Sequence, residues 1–137
     1  MNTTDLIRVF LSSFVLYHFD AVKITDSDTR IDIYLDEKSI LPSDLLSRPV
    51  ISYGFTSATI IQDFPIRGKA VYLHIRRRKW LFKDDNSIDT QTYDLSHKGT
   101  QLTEEFVAFL KLRIESSGSS IESIGNYYQV NGKNGAV

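Results

Sequence analysis

The chain has 137 residues, of which 42% are hydrophobic and 24% charged, with 16 Lys and Arg against 17 Asp and Glu. This is the make-up of a soluble globular domain; a disordered chain would be more polar, and no apolar run approaches the ~18 residues of a membrane span. Cysteine is absent, which excludes disulfides, thiol nucleophiles and cysteine-based zinc or iron–sulfur sites. His18, His74 and His97 are too scattered to suggest a metal site, so no cofactor is expected. No basic stretch precedes the first apolar run, so no secretory signal is expected either, and the location implied is cytoplasmic.

The first element predicted is a helix capped by Thr4 or Asp5 and ending near His18. Leu6, Phe10, Phe14 and Tyr17 recur at helical spacing and form its apolar face. Ala21 to Ile24 and Arg30 to Leu35 then read as a hairpin around Thr25-Asp26-Ser27-Asp28. In its second strand Ile31, Ile33 and Leu35 alternate with Arg30, Asp32 and Tyr34. Residues 36–49 read as a loop with one short helical turn near Ser43 to Leu46. Val50 to Tyr53 and Ala58 to Phe64 have strand composition.

Pro65-Ile66-Arg67-Gly68 is a tight turn, and Lys69 to Arg76 alternates again with Val71, Leu73 and Ile75 inward. Asp84-Asp85-Asn86-Ser87 is a turn, and Ile88 to Leu95 a possible returning strand. A second helix follows, capped by Thr100 or Thr103, with Glu104 and Glu105 favouring its positive end. Its apolar stripe is Leu102, Phe106, Phe109, Leu110 and Ile114. The fold class expected is α+β: a small antiparallel sheet with one helix before it and one after. This domain spans 1–115, with a linker at 116–120. Residues 121–137 read as an incomplete helix-turn-helix.

Charge is unevenly placed. Between Phe64 and Lys83 lie seven basic residues, Arg67, Lys69, Arg76, Arg77, Arg78, Lys79 and Lys83, and no acidic one, while the other residues carry nine basic and 17 acidic groups. Guanidinium forks suit phosphate oxygens, and the nearby Tyr72, Trp80 and Phe82 could offer stacking faces. The same run is compatible with a sheet edge protected by cations. Trp80, beside Leu81 and Phe82, reads as core rather than as a stacking platform. The carboxylate pairs Asp26/Asp28, Asp84/Asp85 and Glu104/Glu105 fall at turns and helix starts. No nucleophile, acid/base pair or phosphate-binding glycine loop is assembled, so no catalysis is expected.

The stretch from Ile61-Gln62-Asp63-Phe64-Pro65 through Gly68-Lys69 and the alternating strand to Arg76-Arg77-Arg78-Lys79-Trp80 resembles the N-terminal region of bacterial insertion-sequence transposases. That family pattern runs Asp-Phe-Pro, a Gly-Lys turn, an alternating strand and Arg-Arg-x-Trp. Lys98-Gly99-Thr100, the helix with Phe106 and Phe109, and the tail Tyr127-Tyr128-Gln129-Val130-Asn131-Gly132-Lys133 are similar too. Broader relatives carry cysteine pairs that bind zinc; this chain has none, so it resembles a zinc-less subgroup. The resemblance implies a non-catalytic component that binds double-stranded DNA at the element's terminal inverted repeats through Arg67, Lys69, Arg76, Arg77, Arg78 and Lys79. It also implies a catalytic transposase subunit, encoded downstream and reached by a ribosomal slip near Lys133-Asn134. The alternative is a protein–protein module that docks this subunit through the basic strand. Arg76, Arg77, Arg78 and Lys79 are expected to form one exposed surface with little acidic interruption.

Overall fold

The computed structural model describes residues 9–41 and 43–117. The expected incomplete helix-turn-helix, and most of the expected linker, lie outside the described residues. The fold is α+β, with a helix ahead of the strands and a second one after them.

Within the described residues, the apolar run of the expected first helix is interrupted by a turn at residues 9–12. Helix α1 covers Ser13–His18, and Ser12 caps it with extended backbone while its hydroxyl accepts the Val15 N–H at 3.2 Å. A serine in the middle of an apolar run offers the backbone this alternative bond, so a helix boundary falls where the pattern alone reads as continuous. The buried face is also different from the one expected. Leu11 and Val15 are buried, whereas Phe10, Phe14 and Tyr17 are exposed.

Among the described residues seven strands follow: β1 (Phe19–Asp26), β2 (Arg30–Glu37), β3 (Val50–Phe55), β4 (Thr59–Ile66), β5 (Lys69–Arg76), β6 (Arg78–Phe82) and β7 (Ile88–Thr90). A 3-10 turn, Ser43–Leu45, sits before β3. The strands form a four-stranded sheet in the order β1-β2-β5-β4 and a three-stranded sheet in the order β3-β6-β7. In β5 the expected inward row holds: Val71, Leu73 and Ile75 are all buried.

The sheet arrangement is mixed and not purely antiparallel. The Thr29 carbonyl accepts the Ala70 N–H, Asp32 meets His74 and Asp36 meets Arg76, so residue numbers rise together along β2 and β5. Parallel neighbours need a long connection, and the chain between β2 and β5 supplies one. Hairpin logic pairs consecutive strands only and misses this pairing. The turn between β4 and β5 is tighter than expected, because β4 continues through Pro65 and Ile66. Arg67 and Gly68 both have positive φ, 49° and 79°, the two-residue geometry that matches strand twist.

The described residues divide into two compact units: one from within 1–23, 34–59 and 75–93, the other from within 24–33, 60–74 and 94–137. The second contains helix α2, Glu104–Ser117. Thr103 caps it: its hydroxyl accepts the Phe106 N–H at 3.3 Å and donates to Asp63 at 2.9 Å. Leu102, Phe106, Val107 and Leu110 are buried, with Phe64, Phe109 and Ile114 packed against them. Val107 joins the stripe read from periodicity. The helix outruns its expected end by about half a turn, so Lys111 and Arg113 fall short of its last turn.

Asp63 makes this helix start sensitive to pH. Burial pushes its carboxyl above the ordinary carboxylate range, against bonds from the Phe64 N–H and the Thr103 hydroxyl that act the other way. A carboxyl raised in the folded state favours folding when protonated. Its contribution is therefore complete below its unfolded value and is lost as pH rises through the folded one. Asp63→Asn keeps an oxygen for Thr103 and removes the charge. The variant should be more stable than the parent at neutral pH, with the two converging in acid. Urea midpoints between about pH 4 and pH 7 check this, and a gap that does not change with pH refutes it.

Candidate nucleic-acid interface

The basic residues of 64–83 are placed one by one by the strands that carry them. Arg67 is exposed at the tip of the β4–β5 turn. Lys69 opens β5, and its ammonium lies 2.7 Å from Asp26. Arg76 closes β5 and forms a fork with Asp36, Nε to Oδ1 at 2.7 Å and Nη2 to Oδ2 at 2.6 Å. Arg77 is half-buried; its Nη1 donates to the Gln91 carbonyl at 3.1 Å. Arg78 opens β6 and donates from Nη1 to Ser52 at 2.7 Å and from Nη2 to the Glu37 carbonyl at 3.1 Å. Lys79 holds its ammonium 5.7 Å from the centre of the Tyr53 ring.

The expectation of one uninterrupted basic surface is therefore corrected. Asp26 and Asp36 neutralise Lys69 and Arg76, and Arg77 and Arg78 are bonded to carbonyls and hydroxyls. In the sequence Asp26 and Asp36 lie 43 and 40 positions before Lys69 and Arg76. The β2–β5 pairing removes that distance. An arginine forked onto a carboxylate is close to neutral as a pair, but the fork on Arg76 uses only Nε and Nη2, and Nη1 lies outside it.

The aromatic partners also differ from those nearest in sequence. Trp80 is 4% exposed and belongs to the core, and Phe82 is likewise buried. Arg48 stacks on Phe82 at 3.9 Å while its fork holds Asp84 at 3.0 and 2.7 Å. Tyr72 carries Arg30 at 4.1 Å. The rings that meet the basic run are instead Tyr53 and Phe55, on β3. Phe55 has the Arg76 guanidinium 4.5 Å and the Arg78 guanidinium 4.6 Å from its centre.

A β-bulge makes this arrangement. Ser52 pairs with Trp80 and Phe55 with Arg78, so Tyr53 and Gly54 together oppose Lys79 alone. Gly54, at φ 81°, supplies the conformation such an extra residue favours. Without the insertion Phe55 would share the face of Tyr53; with it, Phe55 turns to the face of Arg78. Cations and rings thus alternate along β3 and β6, and Tyr53 remains 52% exposed. The available sequence signal was Gly54 inside a strand pattern, which marks bulges.

Comparison with protein-family models, with curated proteins and with solved structures finds no match. The site must therefore be read from its own chemistry. Among the described residues, no group of three or more His, Asp or Glu side chains could hold a metal ion. Among them, too, no helix is long and apolar enough to cross a membrane.

Proposed function

We propose that this chain is the non-catalytic N-terminal component of an insertion-sequence transposase, acting in the cytoplasm on the duplex DNA of the element's terminal inverted repeats. The observation that supports it is the seating of cations on rings at the β3–β6 pair, Lys79 on the exposed Tyr53 and, on the other face, Arg76 and Arg78 on Phe55. Ring faces hold cations in fixed positions at little cost in solvation, so less side-chain freedom is lost when a phosphate arrives. The resemblance of Asp63-Phe64-Pro65 through Trp80 to transposase N-terminal regions supplies the biological setting. Arg76, through Nη1, and Lys79 are the phosphate contacts in this reading, and Tyr53 is the exposed stacking face; the Arg78 guanidinium is held by Ser52 and the Glu37 carbonyl. Arg77 has a structural role, tying β6 to the segment after β7. Arg67 and Lys69 belong to the other unit and act there independently.

A second reading has its own observation. Ile51, Leu81 and Ile88 lie in register across β3, β6 and β7, and both isoleucines are exposed. An apolar row on a sheet face suits a protein partner such as the catalytic subunit. Salt separates the two. Two phosphates engaged by two cations should cost DNA affinity ~12-fold between about 50 and 200 mM salt, and Lys79→Ala should lower the slope by about one. Fluorescence anisotropy of a labelled duplex reads both quantities. Association that is absent, or indifferent to salt, would sink the DNA reading and leave the apolar row.

A further inference from the structure

A cleft of about 460 Å3 opens in the first unit, with Tyr17, His18 and Tyr93 as its aromatic wall and Glu37, Lys38 and Gln91 among its polar groups. The His18 ring lies 4.8 Å from Tyr17 and 4.9 Å from Tyr93, so three rings stand together at one site. Tyr17 is 71% exposed at the rim, on the helical face that periodicity had assigned to the core.

Glu37 is the built part of this cleft. It is 3% exposed, and its two oxygens accept the Arg78 N–H at 2.9 Å and the Tyr93 hydroxyl at 2.6 Å. Each oxygen keeps a further lone pair. Burial and the adjacent carboxylate hold the Tyr93 hydroxyl well above its ordinary pKa, so it stays a donor to Glu37 and its ring is what remains for contact.

The charge balance selects the ligand class. Glu37 is the carboxylate of the lining, and the Arg78 guanidinium on its own carbonyl offsets it; the Lys38 ammonium, 4.0 Å from Asp20, adds a second cation to the lining. A cation gains little there. A flat heterocycle with N–H donors on one edge and an anionic group behind it matches rings, carboxylate and ammonium together. The volume is in the range of small-ligand sites.

We propose that this cleft takes a single unpaired nucleobase, with its plane on the exposed Tyr17 ring, its rim beside His18 and Tyr93, its N–H edge on Glu37 and Gln91, and its phosphate at Lys38. Guanine, with two adjacent N–H donors, fits a carboxylate best. The inference extends the nucleic-acid reading given above. The base comes either from a DNA strand opened at the element's end or from a free nucleotide, and the same chemistry serves both.

The test titrates the full chain with GMP and, separately, with a guanine-containing single-stranded oligonucleotide, following the His18 and Tyr17 ring protons by NMR. Both ring systems should shift, and Tyr17→Ala, at an exposed position that does not endanger folding, should weaken binding about tenfold. Tighter binding of the oligonucleotide identifies the strand as the source; equal or tighter binding of GMP identifies the free nucleotide. Lys79→Ala lies outside the cleft and should leave GMP affinity unchanged. GMP binding that survives where duplex binding fails therefore overturns only the duplex reading. Unshifted rings with both probes, or an affinity unmoved by Tyr17→Ala, overturns the cleft.

Discussion

Phe106→Ala should remove about 3–5 kcal/mol of stability, the range for a large aromatic deleted from a packed core. Phe106 is 0% exposed, and its ring lies 5.3 Å from Phe64, which in turn lies 5.4 Å from Phe109. The deletion opens a cavity between helix α2 and the end of β4, and the surrounding side chains can close it only in part. Leu112, on the same helix, is exposed, so Leu112→Ala should stay within about 0.5 kcal/mol of the parent. Urea denaturation of both variants measures the contrast. A cost below about 1 kcal/mol for Phe106→Ala would mean that this cluster does not hold the second unit together.

The second large effect is expected at Glu37. Its carboxylate joins the end of β2, the start of β6 and the segment after β7 through the Arg78 N–H and the Tyr93 hydroxyl. Glu37→Ala leaves both donors without that partner, at about 1–3 kcal/mol each. Tyr93→Phe removes one donor and leaves the carboxylate its bond from the Arg78 N–H, so it should cost less. In a double-mutant cycle Tyr93→Phe should therefore cost less in the Glu37→Ala background than in the parent. Strictly additive costs would show that the 2.6 Å contact carries no coupling. Glu37→Gln keeps the volume and one acceptor oxygen, and belongs between the parent and Glu37→Ala.

Glu37 also shows what kind of information a linear pattern withholds. It continues the phase of Ile31, Ile33 and Leu35, so it occupies an inward position, yet its charge makes it read as the start of a loop. A buried carboxylate is tolerated only where donors converge on it, and its donors come from residues 41 and 56 positions away. Tyr93 had been assigned no role, because nothing local marks it. Phe55 was hidden for a related reason. One inserted residue at Gly54 reverses which face every later side chain of the strand presents, and periodicity counted from either end cannot detect it.

The sequence by itself determined the α+β class, the approximate extent of the strands, the inward row of β5, a cap at Thr100 or Thr103 and most of the apolar stripe of α2. These follow from forces acting between near neighbours: period-two and period-3.6 burial, turn residues with permitted positive φ, and hydroxyls that reach the next turn of backbone. Tertiary structure alone decided the parallel pairing of β2 with β5, the break ahead of Ser13, and the fate of the basic run. Where a cation points is set by the carboxylate or ring that the fold brings to it, and those partners are distant in the chain. That is why Arg76 meets Asp36 and Phe55 when its sequence neighbours offered only other cations and a tryptophan destined for the core.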